Sequence, residues 1–311
     1  MKVIFMGTPD FAVGILEEIL AAGHEVTLVV TQPDKPKGRG KAMQCPPVKE
    51  SALAHGLTVY QPKRIREAEC VAHLAEYPAD IIIVAAFGQI LPKEILDMPP
   101  YGCVNVHASL LPKYRGAAPI QWAVLNGDRV SGVTTMRMDV GLDTGDMIDK
   151  TEVVLAPDET GGSLFDKLAE AGAKLCVKTM EQIEAGTAVY TKQEEAQVTH
   201  VGMISKQMGK IDWEAPAEQT ERLIRGMNPW PSAYTRLNGK TLKLWKASVV
   251  PEDRAGQAGS VIKADKTGFF VQTGDGVLAI EELQLEGKKR MSYADFLRGY
   301  PVEAGTRLGE E

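Results

Sequence analysis

Asn105 and His107 close the apolar run Val104 to His107, and the chain then turns through Ala108-Ser109-Leu110-Leu111-Pro112-Lys113-Tyr114-Arg115-Gly116. Residues two apart on a β-strand point to one side, so an amide donor and an imidazole can face the same ligand. Such a pair suits a reaction in which a proton moves and negative charge develops on an oxygen. A histidine beside an asparagine can equally be a hydrogen-bonded core residue, and that plain reading stands next to the chemical one.

A second polar cluster, Asp139-Val140-Gly141-Leu142-Asp143-Thr144-Gly145-Asp146-Met147-Ile148-Asp149, follows the strand-like run Val133 to Met138. It lacks the order of acidic positions and the closing glutamate of a calcium loop, so no metal is expected here. Its acids read either as turn formers or, in the case of Asp143, as the carboxylate that orients His107 and favours its charged form. A third stretch, Gln32-Pro33-Asp34-Lys35-Pro36-Lys37-Gly38-Arg39-Gly40-Lys41, is long for a β–α connection and carries four cations. It is a solvated charge run or a grip on a polyanion.

Positioning these groups requires a frame, and residues 1 to about 185 supply its pattern. Strand-like runs at Lys2–Met6, Glu25–Thr31 and Ile81–Ala86 alternate with helical stretches at Asp10–Ala22 and Ser163–Glu184. Ile81-Ile82-Ile83-Val84 has no polar alternation, as expected of a strand buried on both faces of a mostly parallel sheet. The fold class is therefore α/β, and ligands of such sheets bind at the carboxyl edge, where Asn105 and His107 fall. Thr8-Pro9-Asp10 is expected to open the first helix with Thr8 as cap. No GxGxxG follows the first strand, which disfavours a nicotinamide cofactor.

Residues 186–207 are polar and aperiodic, as a connector would be, and 208–311 read as a helix at Ala217–Met227 followed by short strands, the pattern of a small barrel or sandwich. Residues 1–205 hold 19 Lys+Arg against 26 Asp+Glu, net −7, and 206–311 hold 16 against 15, net +1. A nucleic-acid partner is thus permitted despite the overall charge of −6. Four dispersed cysteines offer neither a CxxC pair nor a zinc spacing, and no apolar stretch of spanning length occurs, so a reduced cytoplasmic setting is expected. No apolar heptad calls for a partner chain, and a monomer is the default.

Asn105, His107, Ser109-Leu110-Leu111-Pro112 and Gly141-Leu142-Asp143-Thr144-Gly145-Asp146 together resemble the core of the folate-dependent formyltransferase family. Met6-Gly7-Thr8-Pro9-Asp10-Phe11-Ala12, Thr31-Gln32-Pro33-Asp34-Lys35-Pro36, Ser205-Lys206, Ile211-Asp212-Trp213 and Asn228-Pro229-Trp230-Pro231 are similar to the branch of that family that acts on methionyl-tRNA. The resemblance implies a Rossmann-like catalytic domain and a C-terminal OB-like β-barrel that binds tRNA. It implies transfer of a formyl group from 10-formyltetrahydrofolate, as co-substrate, to the amino group of methionyl-initiator tRNA. It also assigns Asn105, His107 and Asp143 to catalysis, Ser109, Leu110, Leu111 and Pro112 to folate, and Arg39, Lys41 and Lys206 to tRNA. The segment Phe87 to Pro92 is expected to add to the folate wall, although core packing explains Phe87 nearly as well. Two other readings are a formyltransferase or formyltetrahydrofolate hydrolase with a small-molecule acceptor, and a non-catalytic nucleic-acid-binding protein.

Overall fold

The computed structural model describes residues 1–37, 42–250 and 256–310. Arg39 and Lys41 lie outside the described residues. The chain forms two compact units, the first comprising 1–119, 130–154 and 165–201, the second 120–129, 155–164 and 202–311.

In the first unit, β1 (Lys2–Gly7), α1 (Asp10–Ala21) and β2 (Glu25–Val30) are followed by the small hairpin β3 (Lys35–Lys37) and β4 (Ala42–Gln44). Then come α2 (Pro47–Ala54), β5 (Val59–Tyr60), α3 (Ala68–Ala75), β6 (Ile81–Ala85), α4 (Lys93–Leu96), β7 (Cys103–His107) and β8 (Lys113–Gly116). After α5 (Pro119–Leu125), which belongs to the second unit from residue 120 on, the strands β9 (Val130–Arg137) and β10 (Met147–Val154), helix α6 (Gly161–Glu184) from residue 165 on and the short β11 (Thr199–Val201) complete it. The main sheet runs β10-β9-β7-β6-β1-β2-β5. Its pairings from β7 through β5 are parallel, whereas β9 is antiparallel to both β7 and β10.

The sheet is central because its strands are apolar on both sides. Ile4, Met6, Ile82 and Val84 pack with Leu74 of α3 and Ile95 of α4, while Val3, Phe5, Ile81 and Ile83 point the other way and are equally buried. Helix α1 buries Phe11, Ala12, Ile15, Leu16 and Ile19, one face at helical spacing, and Phe11 meets Phe165 of α6 edge to face at 5.8 Å. Thr8 does not cap α1. Its hydroxyl donates to the Phe87 carbonyl at 3.2 Å and accepts from the Gln32 amide at 3.3 Å, so it ties together three loops at the sheet's carboxyl edge.

The second unit contains α7 (Ala217–Gly226), β12 (Ala233–Leu237), β13 (Lys240–Val250), β14 (Val261–Asp265), β15 (Gly268–Gln272), β16 (Val277–Leu285), β17 (Met291–Ser292) and α8 (Tyr293–Gly299). Its strands form one antiparallel sheet in the order β12-β13-β16-β15-β14, with β17 beside β16. Trp213, Leu237, Leu244, Phe269 and Leu283 belong to its core, and the Trp213 indole N–H is satisfied by Thr235 Oγ1 at 3.0 Å. The stretch 186–207, expected as a connector, crosses both units: Thr191 exchanges backbone hydrogen bonds with Met147, β11 pairs in parallel with β8, and Lys206 stands on an exposed 3-10 turn. No helix among the described residues is long and apolar enough to cross a membrane.

Candidate active site

Strand β7 sits between β6 and β9, and its last residues carry the predicted pair. Asn105 is flanked by Val84 and Met136, His107 by Thr134. Asn105 is half-buried and, among the described residues, no protein group engages its side chain, so its amide is available to a ligand. His107 is buried, and its Nε2 lies 2.8 Å from the Tyr114 carbonyl oxygen. A carbonyl only accepts, so Nε2 bears a proton, and proton exchange at this ring is left to Nδ1.

Nδ1 faces Asp143, whose Oδ1 lies 3.7 Å away, within ion-pair range but longer than a hydrogen bond. The other carboxylate oxygen accepts from the Gly116 amide at 2.8 Å. Register alone does not bring Asp143 here, because β9 runs antiparallel to β7 and ends at Arg137, opposite Val104. The turn that follows folds back, with Asp143 itself in the left-handed region at φ 54°. The neighbouring acids have separate duties. Asp139 accepts from Gly141 and Thr144 within the turn, and Asp149 pairs with Lys178 at 2.7 Å. Burial works to raise the Asp149 carboxyl's pKa, but hydrogen bonds from Lys178, the Lys150 backbone and Gln182 hold it below its usual value.

The loop expected to meet folate is turned inward. Ser109 and Leu111 are buried, Leu110 packs on Gly132, and Leu111 clusters with Met136 and Met147. Its polar groups are also engaged: the Ser109 hydroxyl bridges the Tyr114 amide and carbonyl, and Lys150 Nζ donates to the Leu111 carbonyl at 2.5 Å. Thr134, fully buried across from His107, donates to the Ser109 carbonyl at 2.7 Å and accepts from the Leu111 amide at 3.0 Å. Thr134→Val should therefore leave two buried backbone groups unmatched and cost about 2 kcal/mol or more. A lowered urea midpoint with an unchanged denaturant slope would show this; an unmoved midpoint would contradict it.

Among the residues from Phe87 to Pro92, Phe87 is core, whereas Gly88 and Ile90 are exposed at the sheet edge. Burial pushes the Cys103 thiol up to about 12, the mark of an inert packed cysteine rather than a nucleophile. Sequence reasoning missed Thr134, Lys150 and Gln193. The Gln193 amide touches the Asp143 turn, and only three-dimensional contact reveals it.

Residues 1–180 match the family described as Formyl transferase, and 203–301 match its C-terminal domain. The chain is 65% identical over 306 residues to the methionyl-tRNA formyltransferase of Agathobacter rectalis, covering 98% of this chain and 99% of that protein. It is 55% identical over 315 residues to the enzyme of the same name from Lachnospira eligens, covering both chains fully. Among solved structures, the N-formyltransferase of Helicobacter canadensis in complex with folinic acid and dTDP-3-aminofucose shares the fold, with TM-score 0.68, 20% identity and coverage of 94% of this chain and 100% of that one. HypX of Aquifex aeolicus in complex with tetrahydrofolic acid superposes with TM-score 0.64 at 18% identity, covering 100% of this chain and 51% of that one. The extent and identity of these matches place the chain in the formyl transferase family, among the methionyl-tRNA formyltransferases.

Proposed function

We infer that the chain transfers the formyl group of 10-formyltetrahydrofolate to the amino group of methionyl-initiator tRNA, and that Asn105, His107 and Asp143 do the chemistry. The observation that supports the residue assignment is the carboxylate of the Asp143 turn facing the open nitrogen of His107 at 3.7 Å, two residues along β7 from Asn105, whose amide has no hydrogen-bond partner among the described residues. The methionyl amine attacks the formyl carbon and a C–N bond forms. The carbonyl oxygen takes negative charge, which the Asn105 amide stabilises, joined by the His107 ring once Nδ1 has taken the proton that the attacking amine sheds. The C–N10 bond then breaks, N10 gains a proton, and the new amide nitrogen loses one, with His107 and Asp143 moving protons at the site. Folate is proposed to lie over Gly88 and Ile90 and against the outer side of the Ser109–Pro112 loop, where Leu110 is only half-buried. That loop serves chiefly as a rigid wall.

The tRNA is assigned to Arg39 and Lys41, on sequence grounds, and to the exposed Lys206. Lys206→Ala should weaken tRNA binding, lower the slope of log affinity against log salt by about one, and leave the KM for folate unchanged. An unchanged slope would remove Lys206 from the phosphate contacts. The enzyme is read as cytoplasmic and as a monomer, and sedimentation at micromolar concentration tests the monomer. Transfer of labelled formyl to methionyl-initiator tRNA, in competition with glycinamide ribonucleotide, a sugar-nucleotide amine and water, tests the function itself. Formylation of another acceptor, or hydrolysis alone, would overturn the tRNA assignment.

A further inference from the structure

In the polar stretch after α6, one side chain, Gln193, is committed to the turn that carries Asp143. Gln193 Nε2 donates to the carbonyl of Asp143 at 2.7 Å and to that of Gly145 at 2.9 Å, and it lies 3.6 Å from Met136 Sδ. Its Oε1 accepts from Arg115 Nε at 2.9 Å, and the same buried guanidinium reaches Glu195 at 2.8 Å. A few residues on, β11 runs beside β8, with His200 opposite Arg115 and Val201 opposite Gly116. Gly116 is the residue whose amide holds the Asp143 carboxylate. Its φ of 101° and the Val201 carbonyl, 2.3 Å from any added Cβ, leave no room for a side chain.

Asp143 is thus gripped at its carbonyl by Gln193 and at its carboxylate by Gly116, and both grips depend on residues 193–201. A primary amide has two hydrogens, and here both are used on carbonyls two residues apart, which fixes the curvature of the turn. A left-handed non-glycine residue persists only where its surroundings over-determine it, and this amide is one such surrounding. We infer that Gln193 is a positioning residue for formyl transfer, holding the Asp143 turn so that the carboxylate stays beside His107. The inference rests on the reading that Asp143 acts on His107.

Gln193→Glu separates this role from mere packing. Glutamate has the same shape and keeps an acceptor for Arg115, now as an ion pair, but a carboxylate cannot donate to the two carbonyls. Misplacing a catalytic group by about 1 Å can cost about 10²-fold, so in the full-length enzyme kcat should fall roughly 10- to 100-fold in both Gln193→Glu and Gln193→Ala. The KM values for 10-formyltetrahydrofolate and methionyl-tRNA should stay within about twofold, since an interaction acting only in the transition state leaves KM alone. A Gln193→Glu enzyme with the parental kcat would overturn the inference, because satisfying Arg115 would then be the whole role. A loss in Gln193→Glu alone, with Gln193→Ala at the parental rate, would overturn it too, by tracing the defect to added charge. A parental enzyme that does not formylate methionyl-tRNA would instead sink the functional reading beneath it.

Discussion

Asn105→Ala is expected to lower kcat by about 10²- to 10³-fold, the usual consequence of removing one preorganised oxyanion donor. The KM values and the thermal midpoint should hold. Stability should be spared because, among the described residues, no protein group relies on the Asn105 side chain, so truncation strands no buried partner. Asn105→Asp sharpens the test. It preserves shape, removes the donor and places negative charge where the oxyanion forms, so it should be no better than alanine. Single-turnover measurement of formyl transfer decides the matter: a near-parental rate in either variant would take Asn105 out of the reaction.

The second large effect is at His107. His107→Ala should cost about 10²- to 10⁴-fold in kcat, the range for losing a general acid–base. The loop beyond it should survive, because the Tyr114 carbonyl also accepts from the Ser109 hydroxyl at 2.9 Å. The informative comparison is the double variant. Since Asp143 is proposed to act through His107 Nδ1, adding Asp143→Asn to His107→Ala should change the rate by less than about threefold, although Asp143→Asn alone is damaging, because groups acting as a unit are strongly non-additive. Fully additive losses would mean that Asp143 has its own contact with the reacting atoms.

The fold was legible where local pattern and tertiary environment agree. The all-apolar Ile81–Val84 run is β6, buried between two parallel neighbours, and the Asn105/His107 spacing is a shared strand face. What was hidden depends on long-range contact. Strand β10 alternates as an edge strand, yet it emerges from an acid-rich turn that reads as loop. β11 is three residues long and exists because β8 lies beside it. Thr8 looks like a helix cap until the Phe87 carbonyl competes for its hydroxyl. The Ser109–Pro112 motif suggested a ligand surface, but burial of Leu111 and the bonds to Thr134, Tyr114 and Lys150 turn most of it inward. Spacing leaves Asp143 open between turn former and partner of His107, and the family resemblance favours the partner, since a turn that doubles back has no periodic signature.

The interleaving of the chain between its two units limits how this gene can recombine. Residues 120–129 and 155–164 belong to the unit formed mainly by 202–311. Within it, Arg225 donates to the Glu159 carbonyl at 2.8 Å, and the Gly162 amide donates to the Asn228 carbonyl at 2.9 Å. At Gly226, an added Cβ would meet Leu125 at 2.8 Å. A single crossover that exchanged the tail for that of another enzyme would place foreign residues against the native 120–129 and 155–164, even when the junction falls neatly after Val201. Such chimeras should succeed only between parents matched at these two short insertions, so the halves of this enzyme are expected to be inherited together.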